Sequence, residues 1–388
     1  VAKALALDPD QVRNFRALRS GLAAPLDSPA ATARANVGMQ SQQLPPSLWG
    51  LAQRTVGSPT AAALQDELFG EDPSMVRLWG QRGTIHLYAA EHWHQVIASK
   101  PTWAVDVRRG VTAPDELVDE AREKIAAGGG KVTRADLMPL IRGAFLKEAK
   151  EYIGDMMDPK RLGASRLIWG LVIRGELCFA AKRGAEQAYV LRKVAHPRLK
   201  WPRISGARAS LELARDYLRS CGPASVNDLA HFFGARVSQA NQWEAALRKE
   251  GALLDVDVVS ESGRACFALA EDESELRRKV PGAAKDWPVR LLPLWDGLLM
   301  SHADKSWTVP VGSERKLIWK KAAMVAPVVL ARGQVVATWA HKLRAKCVDV
   351  TVTPLSGWRK TKHLAGVKKA AQAYAEHMGR AESRVLSV

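Results

Sequence analysis

The feature that most limits what this chain can fold into is a start signal that occurs twice. Thr133-Arg134-Ala135-Asp136-Leu137 and Ser225-Val226-Asn227-Asp228-Leu229 each place a hydroxyl residue three positions before an acid, with leucine next. A hydroxyl at the N-cap and an acid at the third helical position bond each other's backbone N–H groups, so each stretch opens a helix. Each then leads through helical periodicity to Gly-x-Leu and a β-rich run, at Gly175-Glu176-Leu177 and Gly251-Ala252-Leu253. The second of these runs, 251–259, alternates as a half-buried strand does, and a helix over Ser238 to Lys249 precedes it.

The same order of helices before a hairpin stands at the N-terminus. Val12, Phe15, Leu18 and Leu22 mark a first amphipathic helix, and Ser58-Pro59 reads as the cap of another through Ala62, Leu64 and Leu68. Met75–Trp79 and Thr84–Tyr88 then flank the Gly-containing turn at 80–83. The expected fold class is α+β: three tandem winged-helix units, at 1–110, 111–205 and 206–285. A smaller unit at 286–388 follows. There Val289–Asp296 and Trp307–Val311 flank a polar tip at 301–306, 326–339 reads as a hairpin, and Val348–Thr353 alternates strictly. With a closing helix over Lys362 to Met378, this predicts a small β-barrel or curled sheet.

Composition bears on partners. Lys and Arg number 57 against 40 Asp and Glu, a net charge of +17 spread through the chain. That surplus favours a polyanion met by a folded basic surface. Cys178, Cys221, Cys266 and Cys347 are far apart and lack C-x-x-C or histidine-pair spacing, which excludes a zinc site and a disulfide framework. No cofactor motif is present, and no apolar run is long enough to span a bilayer, so a cytoplasmic protein is expected.

Val37 to Pro46 is polar where a bland connection would do. Ser28-Pro29 opens a helix of small residues that Gly38 stops, and Pro45-Pro46 pushes Leu44 out of the α region, so Met39–Leu44 is expected as a non-helical corner. In extended backbone Gln40 and Gln42 project to one side. Two amides there either hold a water or a sugar–phosphate oxygen, or cap helix ends and face solvent.

Three features resemble the AlkZ/YcaQ family of bacterial DNA glycosylases. They are Gln40-Ser41-Gln42, like its Gln-x-Gln motif; Arg82-Gly83-Thr84-Ile85-His86, like its Arg-Gly-Thr-x-His wing; and Leu292–Asp296 followed by Ser301–Lys305, like its barrel hairpin. They occur in the family's order, with departures at Ser41, where the family has an apolar residue, and at Lys305, where it has arginine. Glutamine at position 42 points to the AlkZ branch, associated with bulky adducts and interstrand crosslinks from genotoxic natural products. The resemblance implies Gln40 and Gln42 as catalytic residues and Arg82, His86, His302, Asp304 and Lys305 as DNA contacts. The implied enzyme acts as a monomer on double-stranded DNA carrying alkylated purines. Alkylation at a purine ring nitrogen makes the base a good leaving group, so amides that position a water and stabilise oxocarbenium-like charge suffice. The corner holds no lysine, so no Schiff-base step is suggested there.

Without that resemblance, the repeats alone also fit a DNA-binding regulator with no enzyme activity. A protein that sequesters the genotoxin is a third reading. Lys200–Arg203 and Trp358–His363 mix cations with aromatics and are candidate phosphate tracks.

Overall fold

The computed structural model describes residues 3–103, 111–258, 263–283 and 286–386. Val259 of the expected strand, and the unit boundaries at 110 and 285, lie outside these residues.

Both start signals form capping boxes. The Thr133 N–H and Oγ1 donate to Asp136 Oδ2 at 2.7 and 3.0 Å; the Ser225 N–H and Oγ donate to Asp228 Oδ2 at 2.9 and 2.7 Å. Leu137 and Leu229 behind them are fully buried. The two boxes then differ in use. Asp136 turns to Arg183 near the surface, whereas buried Asp228 also accepts from the Ala303 N–H at 2.8 Å and so fastens a distant segment.

Three small sheets follow from the helix-then-hairpin order. In the first, Ile85–Ala89 pairs antiparallel with both Met39–Gln40 and Met75–Trp79. In the second, Ala188–Leu191 lies between Lys131–Thr133 and Leu177–Phe179. In the third, Leu253–Asp257 pairs with Cys266–Leu269 and, in parallel, with the N-terminal Leu5–Ala6. The first helix, Pro9–Arg19, follows that strand: Val12 and Phe15 are buried with Val256 and Ala268, not with the first sheet.

The C-terminal strands run in the order Arg290–Leu292, Val328–Ala331, Gln334–Leu343, Cys347–Pro354 and Glu382–Leu386. The first and last do not pair, so the sheet is open and the expected barrel is not closed. Both faces are nonetheless covered, which buries apolar surface without closure. On one, Leu291, Val329 and Val350 meet Val367, Ala371 and Tyr374 of the helix Lys360–His377, together with Met39, Trp49 and Leu51. On the other, Leu292, Val328 and Val335 meet Trp295, Leu299 and Ile318.

Three local expectations change. Leu44 is the first residue of the helix Leu44–Ala52, because prolines in a first turn lack only N–H groups that the helix leaves unbonded there. Thr60, not Ser58, caps Ala61–Phe69, its Oγ1 accepting from the Ala63 N–H at 3.2 Å. The segment 297–307 is no hairpin. Asp296 caps the helix Gly297–Met300 through the Leu298 N–H, and Asp304 caps the turn Lys305–Trp307 through the Ser306 N–H, which coils the chain instead of extending it.

Candidate active site

Extended backbone at the corner gives the expected alternation. Met39 and Ser41 are buried, Gln40 is half-buried and Gln42 exposed. Gln40 pairs with His86, and the Ser41 N–H continues the ladder to the Ile85 carbonyl at 2.6 Å. The entry to this strand is tightly bent. Val37 has φ +50°, which a β-branched residue seldom adopts, and Gly38 has φ +88°. A Cβ on Gly38 would lie 2.4 Å from the Tyr88 ring, so only glycine lets the chain pass there.

The two glutamines are held differently. Gln40 Oε1 accepts from Arg82 Nη2 at 3.0 Å, whereas Gln42 Oε1 has only a long bond, 3.4 Å, from the Ile85 N–H. The Arg82 guanidinium also donates to the Phe232 carbonyl and faces His86 Nε2 at 3.5 Å. His86 Nδ1 lies 3.0 Å from the Thr84 carbonyl, which keeps the proton on Nδ1 and leaves Nε2 as acceptor. Burial, and then the Arg82 charge, hold His86 well below the usual histidine range, so it is neutral. Burial lowers Arg82 to about 10, which leaves it charged at neutral pH. Arg82 itself has φ +57°, and Gly234 makes room for it: a Cβ there would sit 3.0 Å from Arg82 Cα.

The helix Val226–Phe233 links this cluster to the third motif. Its Phe232 carbonyl holds Arg82, and its His231 lies 3.3 Å from Lys305 Nζ. Lys305 also donates to the carbonyls of His302, at 2.6 Å, and Leu299, at 3.3 Å; burial brings it down to about 8. His302 is buried, with Nε2 donating to the Cys221 carbonyl at 2.9 Å and Nδ1 2.9 Å from Ser301 Oγ. Burial lowers His302 to about 3. Asp304 is half-buried and accepts from Ser306 Oγ at 2.6 Å. Arg82, His231 and Lys305 therefore converge on one helix, while His86 and His302 turn inward with both ring nitrogens engaged.

The family model described as "DNA glycosylase AlkZ-like" matches residues 33–377. The chain belongs to that family. The curated "Interstrand DNA cross-link repair glycosylase" of Streptomyces sahachiroi is 26% identical over 362 residues, covering 89% of this chain and 88% of the relative. The solved structure of "Streptomyces sahachiroi DNA glycosylase AlkZ" aligns with a TM-score of 0.76 at 21% identity, over 98% of this chain and 100% of that one. Membership of a DNA glycosylase family makes this chain an enzyme and separates it from the regulator and sequestering readings.

Within this AlkZ-like chain the sequence did not reveal the residues that pin the corner from beneath. Arg77 donates to the Ser41 carbonyl at 2.8 Å and Ser41 Oγ at 3.2 Å, and Ser47 Oγ donates to Ser41 Oγ at 2.9 Å. These bonds explain a serine at position 41: its hydroxyl is fully buried and satisfied. Gln81 Nε2 donates to the Val37 carbonyl at 3.0 Å, while Tyr88 donates to Gln81 Oε1. The available signal was a charge inside an apolar strand, Met75-Val76-Arg77-Leu78-Trp79. The candidate phosphate track at Trp201 is occupied internally: Arg192 lies 3.9 Å over its ring and Trp93 packs against it.

No helix among the described residues is long and apolar enough to cross a membrane.

Proposed function

We propose that this chain is a monofunctional DNA glycosylase that hydrolyses the N-glycosidic bond of bulky N7-alkylpurine adducts, including those within interstrand crosslinks. The name of the Streptomyces sahachiroi relative supports the crosslink reading, and self-resistance to a genotoxic natural product is the matching biological setting. One observation carries the chemistry. Gln40 has its amide oxygen fixed by a cation, two residues from an exposed Gln42, at a corner where the nearest histidine is neutral.

Arg82 drains charge from the Gln40 carbonyl and so strengthens the Nε2 N–H groups as donors. Gln42 Oε1 keeps a lone pair for a water proton, since the Ile85 N–H reaches it at a long 3.4 Å. Together the amides place a water against the sugar carbon. The cationic purine leaves with the bonding electron pair and becomes neutral. The water oxygen bonds to the carbon and its proton passes to solvent, because neither amide is a base at neutral pH. Gln40 and Gln42 act on the reacting atoms; Arg82 and His86 position Gln40. Lys305 and Asp304 shape the neighbouring surface that faces DNA, and His302 holds their segment from inside.

Three small sheets, each joined to capped helices, support the winged-helix units at 1–110, 111–205 and 206–285, save that Leu5–Ala6 and Pro9–Arg19 pack with the third, and the C-terminal unit is at 286–388. The enzyme works as a cytoplasmic monomer on duplex DNA.

The test is base release from a duplex with one bulky N7-alkylguanine, read as alkali-revealed abasic sites. Release by the wild type, with about a hundredfold loss in Gln40→Ala/Gln42→Ala and DNA binding retained, is expected. Equal release by both proteins sinks the mechanism.

A further inference from the structure

Gln42 lies on the wall of a cleft of about 1030 Å³ that runs between the first sheet, the second sheet and the end of the helix Lys360–His377. Its volume is at the upper limit of sites that enclose a drug-sized ligand. One wall is aromatic. The Trp79 ring stands 4.6 Å from Phe179 and is nearly parallel to Tyr189 at 6.1 Å. Phe69 and Pro45 add apolar lining. Arg77, Arg134 and Lys182 also line the cleft, and no Asp or Glu among the described residues does. The cavity of about 720 Å³ on the far side of the helix Ala61–Phe69 is the reverse case, lined by Asp27, Asp66, Glu67, Glu71 and Asp72. An anionic duplex is attracted to the first cavity and repelled by the second.

We propose that the cleft beside Gln42 receives the non-nucleoside part of the lesion, a planar aromatic group with acceptor or anionic substituents carried on the alkylated purine. This rests on the glycosylase reading above and names what distinguishes its substrate. With the glycosidic bond at Gln40 and Gln42, the adduct's bulk passes Gln42 into the cleft. Its rings lie against Trp79, the half-buried member of that wall, and its acceptors meet Arg134 and Lys182. Arg77 serves both places, holding Ser41 with two nitrogens while its third, Nη1, meets Gln187 Oε1 at 3.2 Å on the cleft wall. Substrate selection thus comes from the adduct and not from the base, which suits an enzyme whose catalytic groups are simple amides.

Ala181 and Gln65 are exposed residues that line the cleft from different segments, so each accepts a large side chain without disturbing a core. Ala181→Trp and Gln65→Trp are each compared with the wild type in single-turnover excision. One duplex carries N7-methylguanine; the other carries guanine alkylated at N7 by a three-ring aryl-methyl group. Filling the cleft is expected to slow release of the bulky adduct by about tenfold or more, with N7-methylguanine released at nearly the wild-type rate. The methyl substrate also reports that each variant is folded. Equal losses on both duplexes, or none on either, overturn the proposal while the glycosylase reading stands. A wild type that releases neither base overturns the glycosylase reading, and this proposal with it.

Discussion

Arg54 and Arg82 both face inward near the glutamine corner, and their charges are met in opposite ways. Arg54, just beyond the helix Leu44–Ala52, is fully buried and meets an equally buried Asp296 through two bonds, 2.9 and 2.7 Å. Arg82, in the wing, meets no carboxylate among the described residues; its guanidinium holds the Gln40 amide and the Phe232 carbonyl and faces the neutral His86. The first pair closes on itself and is scaffold. It ties the corner helix to the C-terminal unit, where Trp49 Nε1 also donates to the Leu291 carbonyl at 2.6 Å. The second leaves a cation whose field passes through one amide to whatever that amide touches. Arg54 thus ties two units together, while Arg82 spends its charge on a candidate catalytic amide.

Breaking the scaffold pair gives the largest effect. Arg54→Met leaves Asp296 charged and alone in the interior and should cost about 3–5 kcal/mol, whereas Arg54→Met/Asp296→Leu should recover most of that in chemical denaturation. If the single and double variants unfold alike, the pair is not the tie described here.

A smaller effect separates the two regions by pH. Around Arg82 and Lys305, burial and neighbouring positive charge hold His231 at about 4, and His302 is held at about 3. In the unfolded chain both take up protons below about 6.5, which the folded protein refuses. Stability is therefore full above that pH and falls as the pH drops toward 4, by about 1.4 kcal/mol per unit for each fully buried histidine. His231 is only partly buried and contributes less. The melting temperature should be lower at pH 5 than at pH 7.5. A flat profile, or a higher value at pH 5, contradicts this account of the interior.

The legible parts of the molecule were those encoded locally. Capping boxes at Thr133 and Ser225, the hairpin over Met75–Trp79 and Ile85–Ala89, and the alternation at Gln40 and Gln42 depend on neighbours in sequence, so periodicity and cap chemistry located them. What was not legible depends on contacts far along the chain. Leu5–Ala6 finds its sheet some 250 residues away at Val256–Asp257, and Asp296 finds Arg54 across 242 residues. The hairpin expected from Val289–Asp296 and Trp307–Val311 around a tip at 301–306 failed for a local reason, since Asp296 and Asp304 can be read as turn residues or as helix caps. The resemblance placed His86 and His302 among the DNA contacts, yet both are buried, and burial cannot be read from residue type.

The most direct test of the contrast between the two arginines is a double-mutant cycle on single-turnover base release, using wild type, Arg82→Met, Gln40→Ala and the double variant. If Arg82 acts through Gln40, the double variant is no slower than Gln40→Ala, and the coupling equals nearly the whole Arg82 effect. If the two losses instead multiply, Arg82 acts independently of the amide it holds, and the distinction between scaffold and functional arginine fails at its centre.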